Sequence, residues 1–213
     1  MRRVLPLLSL VAVAAGCGGS SAATKAGQSD ALLHPAKLTA TAPAQFDAVF
    51  HTTKGDFTVR VHRAWAPHGA DRFYELVRNG FYDGAKLFRV VPGFVVQFGI
   101  SAYPQVSRAW LDATIPDDPV VERNTRGRVT FASAGPGTRT TQVFVDLGDN
   151  TSLDSQGFAP FGEVVSGMKV VASFYAGYGD APTAHQGEMT EQGNAYLDRA
   201  WPKLDTITAA SVS

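Results

Sequence analysis

Arg89 stands in the run Phe88-Arg89-Val90-Val91-Pro92-Gly93-Phe94-Val95-Val96-Gln97, a permanently charged group among apolar, β-favouring neighbours. Burying an unpartnered guanidinium is expensive, so it either lies on the solvent face of a strand or is aimed at something that uses its donors. Other chemistries find no support. The histidines at 34, 51, 62, 68 and 185 have no neighbouring carboxylates or thiols at metal-ligand spacing, so no metal site is expected. Ser133 lies between alanines without a Gly-x-Ser-x-Gly elbow, which argues against a serine hydrolase. The glycine-rich Gly135-Pro136-Gly137-Thr138-Arg139 lacks the Gly-Lys-Ser/Thr end of a phosphate loop and reads as a groove loop.

The elements that would carry Arg89 are mostly short strands. Phe46, Ala48 and Phe50 alternate with Asp47, Val49 and His51, and Thr53-Lys54-Gly55-Asp56 supplies a turn before the β-rich 57–62, predicting a hairpin. Pro67 can open a helix, Phe73, Leu76 and Val77 recur at helical spacing, and Asn79-Gly80 stops it, predicting a helix over 67–79. Further β-favouring runs at 87–91, 94–98, 128–132, 142–147 and 161–165 are bounded by Gly, Pro, Asp or Asn. Met168, Val171, Ala172 and Tyr175 suggest a second short helix closed by Gly177, and 204–209 a last strand pairing with an early one. Many short strands imply a barrel or a sandwich, with eight strands and two helices the reasonable total.

The chain has 213 residues, 45% of them apolar, enough for one core and too few for two large domains. Its 19 basic residues equal its 19 acidic ones, so no long-range field favours nucleic acid or anionic lipid. The single cysteine, Cys17, excludes an intramolecular disulfide framework. Arg2 and Arg3 precede an apolar stretch from Val4 to Ala15, and Ala14-Ala15-Gly16 leads into Cys17, the layout of a signal peptide. That stretch is roughly half of the ~20 residues a membrane-spanning helix needs. Residues 18–44, rich in Ser, Ala, Gly, Thr and Pro, read as a flexible tether, with the folded domain occupying 45–213.

Two family resemblances follow. Ala14-Ala15-Gly16-Cys17 resembles the bacterial lipoprotein signal, with Ala14 where leucine is preferred. It implies lipidation at Cys17, export to the cell envelope and membrane contact through that anchor alone; the alternative is plain secretion after cleavage at a small residue such as Ala14 or Ala23. The run around Arg89 resembles the cyclophilin signature. It continues in the family's order with Phe131-Ala132-Ser133-Ala134-Gly135-Pro136-Gly137-Thr138, Thr141-Gln142-Val143-Phe144-Val145, Leu153-Asp154 and Phe161-Gly162-Glu163-Val164-Val165. Gly157-Phe158-Ala159-Pro160 and Gly193-Asn194-Ala195-Tyr196-Leu197 are similar to a bacterial branch of that family.

This resemblance implies a mainly β fold, a closed eight-stranded antiparallel barrel capped by two α-helices, and peptidyl-prolyl cis-trans isomerase activity without cofactor or metal. Arg89, Gln97 and Phe94 would be the catalytic group, and Val95, Ala132, Ser133, Gln142, Phe144, Leu153 and Phe158 would bind substrate. Proline-containing polypeptide segments are the implied partners of a monomer that binds no nucleic acid. Peptide-bond rotation faces a barrier of roughly 18–20 kcal/mol because nitrogen conjugation makes the bond partly double. An arginine donating to the prolyl nitrogen favours its deconjugated, twisted state over the planar one. A charge-assisted hydrogen bond contributes about 1.5–3 kcal/mol and a tenfold rate gain needs about 1.36 kcal/mol, so Arg89 explains one or two powers of ten. An apolar proline pocket and carbonyl donors must supply the rest. The rival reading is a non-catalytic proline-peptide chaperone or scaffold on the same fold. Ser152 stands where many members carry tryptophan, Phe158 near a usual histidine, and Ser133 in place of a common asparagine, so weak cyclosporin sensitivity is expected.

Overall fold

The computed structural model describes residues 30–213; the signal segment, Cys17 and the beginning of the tether fall outside them. Eight antiparallel strands form one sheet in the order β3-β4-β6-β5-β7-β2-β1-β8. Strands β1 (Gln45–Thr52) and β2 (Gly55–His62) make the expected hairpin, with Thr52 opposite Gly55. Alternation sends Phe46, Ala48, Phe50, Phe57, Val59 and Val61 into the core, while the opposite face pairs Asp47 with Arg60 through two hydrogen bonds of 2.8 Å. Helix α1 (Pro67–Arg78) starts at the proline and ends at Asn79, whose side chain donates to the carbonyl of Glu75. No side chain caps it locally; instead the distant Asp118 accepts from the backbone amides of His68 (3.0 Å) and Gly69 (2.9 Å).

The remaining strands are β3 (Arg89–Val91), β4 (Val95–Phe98), β5 (Arg128–Phe131), β6 (Val143–Asp146), β7 (Pro160–Ser166) and β8 (Ile207–Val212). Their inner faces meet α1 in an aromatic core, where Phe50 stacks on Phe57 at 4.8 Å and Phe73 lies 4.8 Å from Phe161. The expected closed barrel is corrected to an open one. No ladder joins β3 to β8 among the described residues; the two edges touch only through an isolated Lys86–Thr206 bridge and flanking backbone bonds, such as Leu87 N–H to the Asp205 carbonyl at 3.0 Å. The reason is the brevity of β3. It runs for three residues before the Pro92-Gly93 turn, all of them paired with β4, and the contact toward β8 falls ahead of it, at 84–87.

Two helices were expected, and the second shrinks to a single turn, α3 (Met168–Val171). Three helices went unforeseen: α2 (Pro104–Ala109), α4 (Gln186–Gln192) and α5 (Asn194–Ala200). Each is too short for a periodic stripe, α4 burying only Met189 and α5 only Leu197. Met189 and Leu197 join Phe88, Ile100 and Leu204 in a second, smaller apolar cluster behind β3 and β4.

The tether expected through residue 44 is also corrected over its described part. Residues 30–44 lie on the domain: Leu32 is fully buried, its carbonyl accepts from the Trp110 indole at 2.8 Å, and the Ala40 and Ala42 amides donate to Glu75 (2.7 Å) and Asp71 (2.8 Å). Lone apolar residues docked by partners on α1 and α2 show no sequence periodicity, which is why this stretch resembles a linker.

Candidate active site

Antiparallel pairing brings the site together. Arg89 on β3 lies opposite Gln97 on β4, so both side chains leave the same face, and Gln97 in turn lies opposite Phe144 on β6. Gln142 sits just before β6, where the Ala132 amide donates to its carbonyl at 2.9 Å and brings the Ala132-Ser133 segment alongside. Close approach here requires glycine: a Cβ on Gly99, whose φ is +113°, would lie 2.5 Å from the Thr141 carbonyl oxygen and 2.7 Å from the Gln142 Cα. Leu153 comes from a 3₁₀ turn (Thr151–Gln156) anchored by Asp154, which accepts from the Asn124 amide and side chain at 2.8 Å each. The Phe158 ring then meets Phe144 edge-on at 5.8 Å.

The result is a cleft of about 280 Å³ lined by Arg89, Phe94, Val95, Gln97, Ala132, Ser133, Phe144, Leu153 and Phe158, with Thr183 and Gln186. Of the ten catalytic and substrate-binding residues singled out in the sequence, only Gln142 lies outside it, and Cys17 falls outside the described residues. Gln142 lines an adjoining hollow of about 170 Å³ that shares Gln97, Ala132, Ser133 and Gln186 with the cleft. Apolar floor and polar wall are separate: Val95 and Phe144 are buried, whereas the Arg89 side chain is 26% exposed. The guanidinium carbon stands 5.2 Å from the Phe94 ring centroid, a cation–π arrangement.

A row of hydrogen bonds runs along the wall. Arg89 donates from Nη1 to Gln97 Oε1 at 3.1 Å, Gln97 Nε2 donates to Gln142 Oε1 at 2.9 Å, and Gln142 Nε2 donates to Gln186 Oε1 at 2.8 Å. On its other side, Arg89 Nε donates to Asp180 Oδ1. Sequence reasoning missed Asp180, Thr183 and Gln186. Asp180 is 91 residues from Arg89, in a polar segment with no local sign of contact.

Beneath the cleft, Asp146 at the end of β6 is fully buried. Burial pushes its carboxyl up to about 7, against the opposing hydrogen bond from Asn150 and with a further push from the Asp154 charge. Asn150 Nδ2 links Asp146 Oδ1 (2.6 Å) to the Phe94 carbonyl (2.8 Å), which ties this buried acid to the turn that carries Phe94. Asp146 Oδ2 has no hydrogen-bond partner among the described residues.

A family model for cyclophilin type peptidyl-prolyl cis-trans isomerases matches residues 48–192. The chain is a cyclophilin. Among similar proteins, peptidyl-prolyl cis-trans isomerase B of Escherichia coli is 32% identical over 130 residues, 57% of this chain and 79% of that protein. A peptidyl-prolyl cis-trans isomerase of Acinetobacter baylyi is 31% identical over 125 residues, 56% of this chain and 66% of that protein. In fission yeast, peptidyl-prolyl cis-trans isomerase ppi1 is 31% identical over 122 residues, 56% of this chain and 78% of that protein. The fold is shared with a crystal structure of a Cryptosporidium parvum cyclophilin, at a TM-score of 0.59 and 16% identity, covering 79% of this chain and 98% of that one. This cyclophilin is accordingly an isomerase by family.

Proposed function

We propose that this cyclophilin accelerates rotation about Xaa-Pro bonds in exported polypeptides, and that Arg89 is its catalytic group. The observation that carries this reading is the placement of the Arg89 guanidinium, fixed by Gln97, over the apolar hollow formed by Phe94, Val95, Phe144 and Leu153. A proline ring in that hollow puts its nitrogen beside an obligate donor. In the planar amide the nitrogen lone pair is delocalised and accepts poorly; twisting localises it, so the bond to Arg89 strengthens only on the way over the barrier. Ala132, Ser133 and Gln142 border the path of the flanking peptide, and Gln97 orients Arg89. A mere holder of proline peptides needs the hollow but not a guanidinium held against its mouth.

Exchange spectroscopy by NMR on an Ala-Pro peptide tests the reading. Wild type is expected to accelerate exchange, and Arg89→Ala to lose about one to two powers of ten. Absence of acceleration by the folded wild type would leave the chaperone reading in its place. Export rests on the signal layout ahead of Cys17. Radioactive fatty acid supplied to a bacterial host should label the wild type and not Cys17→Ser; equal labelling of both sinks the anchor. Ser152, exposed beside the cleft, supports weak binding of cyclosporin.

A further inference from the structure

The row of side chains along the cleft wall begins and ends in one segment of the chain. Asp180 holds Arg89, and Gln186, six residues on, accepts from Gln142. We propose that Asp180 and Gln186 are positioning residues for the isomerisation, closing the row from both ends and fixing the plane and polarity of the groups that face the substrate. The inference rests on Arg89 being the catalytic group.

Hydrogen-bond direction is the first support. Arginine donates and never accepts, so Gln97 must turn Oε1 toward Arg89. Its Nε2 then faces Gln142, whose own amide is oriented in the same sense and donates onward to Gln186. An amide flip anywhere in the row would set two donors or two acceptors against each other. Gln186 borders both the cleft and the adjoining hollow, and its Nε2 is the one amide end the row does not use.

Geometry of the guanidinium is the second. Arg89 projects from a three-residue edge strand on a long side chain, which a single 3.1 Å bond to Gln97 would leave free to swing about that bond. Asp180 takes Nε while Gln97 takes Nη1; two fixed points on a rigid plane set its orientation and leave Nη2 to neither neighbour. Side-chain exposures of 26% and 59% make this a half-open pair, worth little to stability, so its effect belongs to orientation.

The segment also has the rigidity the role requires. The Asp180 carbonyl accepts from the Thr183 amide (2.9 Å) and hydroxyl (2.6 Å), and Pro182 is buried. Met189, one turn beyond Gln186, is fully buried in the cluster that contains Phe88. Phe88 immediately precedes Arg89, so the same packing behind β3 sets both the strand that presents the arginine and the segment that grips it.

Steady-state kinetics on the Ala-Pro peptide, with the full chain, test this. Asp180→Ala is expected to lower kcat about three- to tenfold with KM within about twofold, because a misplaced donor weakens the transition state more than peptide binding. Asp180→Asn, whose Oδ1 still accepts from Nε, should restore most of kcat. Gln186→Ala should lower kcat as well, by a smaller factor. By NMR, the Arg89 Nε–H resonance should move toward that of a free arginine in Asp180→Ala and stay near its wild-type position in Asp180→Asn. Wild-type kcat in Asp180→Ala, with Arg89→Ala slowed by the expected one to two powers of ten, overturns the inference. So does a loss of activity that Asn fails to rescue and that follows a lowered unfolding temperature. If Arg89→Ala itself keeps the wild-type rate, the underlying assignment of Arg89 fails instead, which is a separate outcome.

Discussion

Two arginine–aspartate pairs use the same chemistry for opposite ends. Arg139 and Asp118 meet at 3.0 Å with side chains only 4% and 1% exposed; Arg89 and Asp180 meet at the cleft with 26% and 59% exposed. Asp118 also accepts from the first amides of α1, and Arg139 donates to the Pro116 carbonyl, so the buried pair joins residues 116–118 to a helix start and to the groove loop. Deep in the protein, a charge must have its counter-charges built in, and a guanidinium whose side chain is 4% exposed gives a ligand no approach. At the cleft, water shares the cost of the charge, and an arginine can keep a donor uncommitted. A buried pair therefore determines where the chain goes, and an open one what it can touch.

The comparison breaks most readily at Asp118. Asp118→Ala leaves the buried Arg139 only the half-exposed Asp117, 3.3 Å from Nε, as counter-charge and takes the acceptor from the first amides of α1, so it should cost about 3 kcal/mol in denaturant unfolding; a cost under about 1 kcal/mol would mean the interior pair is no more committed than the open one. Arg89→Ala is expected to do the reverse, losing one to two powers of ten in kcat/KM while unfolding shifts by no more than about 0.5 kcal/mol.

Asp146 sharpens the contrast as a buried carboxylate with no arginine. Burial raises it from 3.8 to about 7, so the folded protein holds a proton that the unfolded chain releases from about pH 4 upward. Folding stability from this group is greatest below pH 4 and is lost as pH rises through 7. Asp146→Asn should remove that loss. Thermal unfolding should show the variant gaining on the wild type by at least about 1 kcal/mol between pH 4 and pH 8, which is about 2–4 °C in Tm for a chain of this size. A difference independent of pH would refute the titration. The smallest effect expected is on the stability of Asp180→Ala, within about 0.5 kcal/mol of wild type in denaturant, since the pair it breaks is half-open.

Much of this site is legible in the sequence because its parts lie in short local runs. Arg89, Phe94, Val95 and Gln97 share one hairpin, and strand pairing brings Phe144, Ala132 and Ser133 to it in the order the motif implies. Hairpin turns, the Pro67 start and the Asn79 stop are local signals with local causes, so α1 and the strands through β7 fall within about two residues of expectation, whereas β8, expected over 204–209, lies three residues later at Ile207–Val212. What escaped has no such signal. A six-residue helix buries too little to show a period, and Leu32 looks like a linker residue until Trp110 and α1 are beside it.

Family, the alternation that faces the strands inward, and the charged residue among apolar neighbours at position 89 are all written in local runs of residues. Long-range packing sets the rest: the barrel open at β3, residues 30–44 against the domain, and Asp180 and Gln186 on the wall of the cleft. Patterns of period two and 3.6 report which face of an element is buried, because that is settled by its own residues. Which polar side chain meets Arg89 from 91 positions away depends on how a second apolar cluster seats a polar segment, and no local pattern records it.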